Sequence, residues 1–175
     1  MIKKISFPLF FIIIAICSFY LYSEYKKPFV HSGEMAPDFE FKIEKISYRL
    51  SQFRNKWILI HFWGSWCGPC REKNKDLVAL YNHFQNKKFK DADSFEIISL
   101  GIESKKQAWL NAIEQDQLNW KFHFSHVNSF NCSIAKKYGI KEIPATILIN
   151  PKGQISFINV DIKIIEGHLS KSLSK

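Results

Sequence analysis

Two cysteines separated by two residues, in Trp66-Cys67-Gly68-Pro69-Cys70, carry the clearest chemistry in this 175-residue chain. They follow an apolar run at 57–63 (WILIHFW). After them Leu77, Leu80, Tyr81 and Phe84 recur at i, i+3, i+4 and i+7, the spacing of one helix face. The pair therefore falls where a strand hands over to a helix. Backbone N–H groups at a helix N-terminus point outward with partial positive charge. That stabilises a thiolate and lowers a cysteine below its free value of about 8.5. The thiolate is the attacking species in thiol–disulfide exchange. Cys67, at or just before the first turn, is the expected nucleophile. Cys70, one turn further in and more buried, is the expected resolving thiol that releases a mixed disulfide. Gly68 permits the tight turn, and Pro69 suits an early helical position where its missing N–H costs little.

The same spacing has two blander readings, a passive disulfide and half of a zinc site. A zinc site needs a second ligand pair. Beyond the N-terminal segment the other cysteine is Cys132, alone, and the six histidines offer no matching pair. A short Cys-x-x-Cys loop constrains the unfolded chain only weakly, so it is a poor staple. No metal is expected, and no cofactor beyond the redox-active disulfide itself. A chaperone holding copper or zinc through Cys67, Cys70 and a histidine is the competing function, open to metal titration. Cys132 is either a small buried residue near a helix start or an intermolecular or regulatory thiol.

The elements that position the pair alternate strand and helix. Residues 39–43 alternate apolar and polar, and Ile46, Tyr48 and Leu50 continue the pattern, so a hairpin is expected. The run at 57–63 reads as a central strand covered on both faces, feeding a helix over 68–86. Residues 95–102 form a second buried strand. Ser104 is the expected cap of a helix with Trp109, Leu110 and Ile113 inward. Asn131 or Ser133 opens a short helix that stops at Gly139. Residues 145–150 form a strand, Pro151-Lys152-Gly153 a turn, and 154–160 the returning strand. Asp161 or a neighbour opens a last helix with Ile164, Ile165, Leu169 and Leu173 inward. The expected class is α/β, a central mixed sheet flanked by helices. Trp109, Trp120, Phe122, Phe124 and Phe130 are expected to fill the core, the alternative being a groove for a partner.

Residues 5–23 (ISFPLFFIIIAICSFYLYS) contain no charge and as a helix span about 28 Å, close to a bilayer core. The sequence thus divides into an N-terminal membrane anchor, or alternatively a cleaved signal segment, at 1–27, a linker at 28–37 containing Pro28, Gly33 and Pro37, and a catalytic domain at 38–175. Lys3 and Lys4 favour a cytoplasmic N-terminus and place the domain outside the cytoplasm, while Lys26 and Lys27 weaken that vote. Ala15 with Cys17, or Leu21 with Ser23, makes a poor cleavage site, so an uncleaved anchor is expected. Cys17 is then a small apolar residue in the membrane. The formal net charge is +9, of which residues 1–27 carry +3. The remaining lysines are scattered at helical surface spacing, which reads as a solvated face, and no nucleic-acid partner is expected. A content of 46% hydrophobic and 15% aromatic residues excludes a disordered chain, and four cysteines are too few for a disulfide-stapled miniprotein.

The segment 62–70, after its apolar strand, resembles the active site of the thioredoxin superfamily. Residues 137–144 (KYGIKEIP) and 146–153 (TILINPKG) resemble that family's cis-proline loop and the strand pair after it. The opening at 33–39 (GEMAPDF) is similar to the membrane-anchored thioredoxin-like proteins of the TlpA, ResA and DsbE group, and 109–120 to a segment of one TlpA-like branch. The resemblance covers roughly 33–173. It implies a thioredoxin-like fold with an N-terminal transmembrane helix, dithiol–disulfide exchange, and a reductive role on the extracytoplasmic, periplasmic side. It makes Cys67 the nucleophile, Cys70 the resolving thiol, Pro144 the cis-proline facing them, and Trp66 the aromatic shelf beside them. Ile143, before Pro144, would offer its backbone to an extended substrate.

Two positions depart from the family pattern. Six residues before the nucleophile, where a buried aspartate is common, stands His61. Three residues after the resolving cysteine, where ResA-like members carry glutamate, stands Lys73. His61 is either a proton relay with a pKa near neutrality or a structural histidine hydrogen-bonded within the sheet. Lys73 either favours the thiolate or is simply solvated. The resemblance implies protein substrates with disulfides or thiols and a membrane electron donor such as a DsbD- or CcdA-like carrier. It suggests a role in cytochrome c maturation or disulfide repair, and a monomer is expected. The alternative direction is a disulfide-forming oxidant. The opening at 37–39 also resembles peroxiredoxins, a reading that hydrogen peroxide consumption tests.

Overall fold

The computed structural model describes residues 7–126 and 129–174. Its centre is β3 (Lys56–Trp63), which contains the apolar run at 57–63. β3 pairs in parallel with β4 (Ser94–Ile102) and antiparallel with β6 (Ala145–Ile149). β5 (Phe122–His126) lies parallel outside β4, and β7 (Ile155–Ile158) antiparallel outside β6. The order among the described residues is β5-β4-β3-β6-β7. Helix α2 (Gly68–Phe84) is the crossover that two parallel neighbours require.

The continuous apolar runs are explained by the two faces. Ile58, Ile60 and Phe62 of β3, with Ile98, Leu100 and Ile102 of β4, join Phe122, Phe124, Ala145, Ile147 and Ile149 on one face. That face is covered by a separate antiparallel hairpin, β1 (Glu40–Ile43) and β2 (Ile46–Arg49). It is also covered by α4 (Ser133–Tyr138), through Ile134, Ala135 and Tyr138. Trp57, Leu59 and Trp63, with Phe95, Ile97 and Leu148, point to the other face. There they meet Leu77, Leu80, Tyr81 and Phe84 of α2, Trp109 and Ala112 of α3 (Lys106–Gln115), and Ile162, Ile165 and Leu169 of α5 (Ile162–Lys171). A period of two inside an unbroken apolar run thus builds two cores at once.

Several local expectations need correction. Residues 122–126 form an edge strand, where only core-filling or groove-lining aromatics are expected from the sequence. Phe122 and Phe124 do fill the core, as do Trp109 and Trp120, whereas Phe130 is partly buried. The residue capping α3 is Lys105, which makes no side-chain cap bond, and not Ser104. Leu110 is 42% exposed, and Ala112 takes the inward position beside Trp109. α4 starts at Ser133, one of the two starts expected, and is capped by Cys132, whose sulfur accepts from the Ala135 amide at 3.3 Å. In α5, Ile164 faces solvent and Leu173 lies past the helix end, while Asp161 caps it by accepting from the Lys163 amide. Gly139 closes α4 with φ 67°, a left-handed conformation that suits glycine.

Residues 28–37 are stitched to the domain. Phe29 donates to the Tyr138 carbonyl, Gly33 to Ile155, Ile155 back to Glu34, and Ala36 to Gly153. Before them α1 (Phe7–Lys26) exposes Phe10, Phe11, Ile12, Phe19, Tyr20 and Leu21. Among the described residues no helix is long and apolar enough to cross a membrane. The uncharged run expected as the anchor starts at Ile5 and so lies partly outside the described residues.

Candidate active site

Cys67 is the N-cap of α2, with extended backbone, and Pro69 stands in the first turn. Cys67 and Cys70 are joined as a disulfide with an S–S distance of 2.02 Å. The Cys70 amide, one of the first-turn donors without a helical partner, points at Cys67 Sγ from 3.2 Å. The hydrogen bond the helix start would otherwise lack is therefore aimed at the sulfur that becomes a thiolate on reduction. Cys67 is 6% exposed and Cys70 fully buried, so an incoming sulfur meets Cys67 first.

Opposite the disulfide lies the turn before β6. The Ile143–Pro144 peptide bond is cis. The Ile143 carbonyl oxygen is 3.9 Å from Cys67 Sγ. Trp66, 58% exposed, stands beside the thiols, its indole Nε1 donating to the Ile102 carbonyl at 2.9 Å. The arrangement sets the Cys67 sulfur, the less buried of the two, beside the backbone carbonyl that precedes the cis-proline Pro144, with the exposed Trp66 next to it in the chain.

His61 is brought beneath α2 but not in the state expected of it. It is fully buried on the face of β3 shared with Trp63, the two rings parallel at 6.0 Å. Neither ring nitrogen has a hydrogen-bond partner, so it is not the sheet-bonded histidine of the structural reading. Burial first, then the positive charge of Lys73 and the neighbouring His123, hold its pKa well below 6.5. A relay titrating near neutrality is therefore corrected to an imidazole that stays neutral. Register explains its company: His61 pairs with Ser99 on one side and Thr146 on the other, and Ser99 pairs with His123. Facing residues of paired strands share a face, so a polar row crosses the sheet under α2. His123 is pushed down to about 4 by burial. Lys73 is not simply solvated. It is half-buried with Nζ 3.5 Å from Thr146 Oγ1, and burial lowers its pKa against the pull of Asp161 and Asp76.

Two groups at this end of the sheet were not recognised in the sequence. Arg71, next to Cys70, forms a two-pronged ion pair with Asp116 at the end of α3, Nε–Oδ2 2.5 Å and Nη2–Oδ1 2.7 Å. Asn74, fully buried, donates to the same carboxylate at 2.7 Å. The other group is Glu103, 2% exposed, just after β4. One of its oxygens accepts from the Ser65 amide and the other from the Ser65 hydroxyl at 3.2 Å. These partners stand 38 to 45 residues apart, with no spacing motif to announce them. Cys132 is buried and unbridged, away from the disulfide in the opposite core. Among the described residues no group of three His, Cys, Asp or Glu is placed to hold a metal ion.

A model of the AhpC/TSA family matches residues 32–158. The thiol-disulfide oxidoreductase ResA of Bacillus subtilis is 25% identical over 148 residues, 84% of this chain and 74% of that protein. The protein of the same name from Geobacillus thermodenitrificans is 27% identical over 163 residues, covering 91% and 84%. A thiol-disulfide oxidoreductase from Bacteroides fragilis superposes with a TM-score of 0.66 at 30% identity, covering 79% of this chain and 98% of that one. The thioredoxin domain of a thiol-disulfide oxidoreductase from Bacteroides vulgatus gives 0.68 at 24% identity over 80% and 99%, a likeness of fold.

Proposed function

From the premise that the chain belongs to the AhpC/TSA family and is a thiol-disulfide oxidoreductase on a thioredoxin-like fold, we propose that it is a membrane-anchored reductase of protein disulfides, acting outside the cytoplasm. The observation that carries the reading is the placement of Cys67 Sγ at the N-terminus of α2, under the Cys70 amide and across from the Ile143 carbonyl.

In the reduced enzyme the Cys67 thiolate, stabilised by the helix start, attacks one sulfur of a substrate disulfide. A Cys67–substrate disulfide forms and the other substrate sulfur leaves as a thiolate. Cys70 then loses its proton and attacks Cys67 Sγ. The Cys67–Cys70 disulfide forms and the second substrate sulfur leaves. Two electrons pass to the substrate, whose thiolates take up two protons. During the mixed disulfide, Ile143 offers its main chain to an extended substrate segment and Trp66 its ring. His61, neutral and buried, is a poor proton acceptor and serves as part of the polar floor under α2. Regeneration needs a two-electron dithiol donor, and a domain outside the cytoplasm takes it from a membrane carrier of the DsbD or CcdA kind. Oxidised apocytochrome c and proteins with wrong disulfides are the candidate substrates.

Anchoring rests on the uncharged run at 5–23 and on the row of large apolar side chains that α1 leaves exposed, a surface that calls for a non-aqueous neighbour. The full-length chain should sediment with membranes, resist carbonate extraction, and react with an impermeant thiol reagent from the outside only. Cytoplasmic labelling of Cys67 would overturn the topology. Stoichiometric reduction of a protein disulfide by the pre-reduced chain tests the chemistry, and failure to reduce any would overturn the reductase reading.

A further inference from the structure

We propose that Glu103 is a positioning residue for the dithiol, a buried carboxylate that clamps the loop presenting Cys67 and biases the couple toward the disulfide. This rests on the exchange reading of Cys67 and Cys70 and adds to it a determinant of their poise.

The C-terminal end of β4 holds the loop before Cys67 at three points. The Ile102 carbonyl takes the Trp66 indole at 2.9 Å. The two Glu103 oxygens take the Ser65 amide and the Ser65 hydroxyl. The turn is closed by the Cys67 amide donating to the Gly64 carbonyl at 3.1 Å. Gly64 fits because there is no room for more: a Cβ there would lie 2.7 Å from the Trp66 indole and 3.1 Å from the Ile102 carbonyl. Ser65 and Trp66 thus have little freedom, and Cys67 inherits its position from them.

A carboxylate in this place is costly without compensation. Glu103 is 2% exposed, and among the described ion pairs no cation is matched with it. Its compensation is Ser65, and a glutamine of the same shape would not be expected to cost the fold as much. Its charge has a second consequence. One residue, Trp66, separates Ser65 from Cys67, at most about 7 Å between Cα atoms. A thiolate at Cys67 therefore forms within roughly 14 Å of this charge, in surroundings less polar than water, where like charges repel. The neutral disulfide carries no such penalty. Glu103 thus opposes the helix-start stabilisation, makes the reduced form a stronger electron donor, and holds the loop while doing so.

The test uses the full-length chain and its Glu103→Gln and Ser65→Ala variants, equilibrated with reduced and oxidised glutathione and read by tryptophan fluorescence or thiol trapping. Glu103→Gln removes the charge and should be reduced more easily, its equilibrium constant shifted roughly threefold or more, about 14 mV upward at 29.6 mV per tenfold. Its Cys67 should also react faster with iodoacetamide at slightly acidic pH. Ser65→Ala keeps the charge and should stay within twofold of wild type in both assays, while its KM for a protein disulfide rises. If Glu103→Gln does not fold, Glu103→Asp serves. It retains charge but withdraws it by one methylene, so turnover should fall with the glutathione equilibrium close to wild type. A wild-type couple with an unchanged Glu103→Gln equilibrium, or a Glu103→Asp variant with full turnover, overturns this assignment alone. A wild-type chain with no reversible couple overturns the exchange reading together with it.

Discussion

Cys67 Sγ and the Ile143 carbonyl oxygen face each other at 3.9 Å although 76 residues separate them in the chain. The sulfur comes from the loop between β3 and α2, the carbonyl from the turn into β6, and both strands are central in the sheet. A substrate sulfur reaching Cys67 therefore arrives beside a backbone carbonyl held by rigid elements, and the chemistry follows from that meeting.

Replacement of either cysteine should separate the two steps. Cys67→Ser should lower disulfide reduction by about a thousandfold or more, as loss of a nucleophile does in other enzymes. Cys70→Ser should still attack but fail to release, so a covalent complex with a substrate protein accumulates. Non-reducing gels with mass spectrometry of the adduct check this. An adduct on Cys70 in the Cys67→Ser variant, at wild-type yield, would reverse the assigned roles.

The buried histidines predict acid sensitivity. His61 and His123 have folded pKa values below the unfolded value near 6.5, so below that pH the unfolded chain binds more protons than the fold. Their contribution is fully present above about pH 6.5 and is lost as pH falls toward 4. Each can cost up to about 1.4 kcal/mol per pH unit in that window. Glu96, pushed up by burial, works in the opposite sense. Urea denaturation at pH 7 and pH 5 should show a clear loss for wild type and a smaller one for His61→Leu. Equal losses in the two proteins would mean that His61 is not held neutral.

The clamp between α2 and α3 should matter for stability and for turnover. Asp116→Ala leaves the buried Asn74 amide without its partner and removes both prongs of the Arg71 pair, bonds of 2.5 to 2.7 Å, while Arg71 keeps its 3.2 Å bond to Gln115. The Asp116 side chain is 12% exposed and that of Arg71 30%, so solvent screens the pair only in part. A loss of about 1–3 kcal/mol is expected from urea titration. Because Arg71 follows Cys70 directly, turnover should fall as well. A loss below about 0.5 kcal/mol would make the clamp a surface pair of no consequence.

Much of the site was legible in the sequence because its chemistry is local. Cys67, Gly68, Pro69 and Cys70 occupy one helix start, and the short apolar run before them, rich in aromatic and β-branched residues, reads as a buried strand. What escaped depends on distance in the chain or on weak local preference. Glu103 and Asp116 gain meaning only from Ser65 and Arg71, which the fold brings to them. Cys132 caps α4 with sulfur, a weak acceptor that no capping preference favours. Residues 122–126 alternate Phe with polar side chains, a strand signal for β5 that is only five residues long and is masked by the density of aromatics around it. The neutral state of His61 depends on how completely α2 covers it, which spacing along one strand does not reveal.

Tight packing around α3 gives an independent check of the core. A Cβ on Gly101 would lie 2.6 Å from the Trp109 ring, which is 2% exposed and packs near Trp63. Gly101→Ala should destabilise the protein by about 1–3 kcal/mol, read from its urea midpoint. An unchanged midpoint would show that Trp109 has room to move.

The most direct measurement is the equilibrium of the Cys67–Cys70 couple in the full-length chain against defined dithiothreitol and glutathione buffers. A reductase fed from a membrane carrier should show a reversible two-electron couple near the thioredoxin end of the range, about −270 mV. A couple near about −120 mV would make the chain an oxidant and contradict the reductive function, and the absence of any reversible couple would contradict dithiol exchange itself.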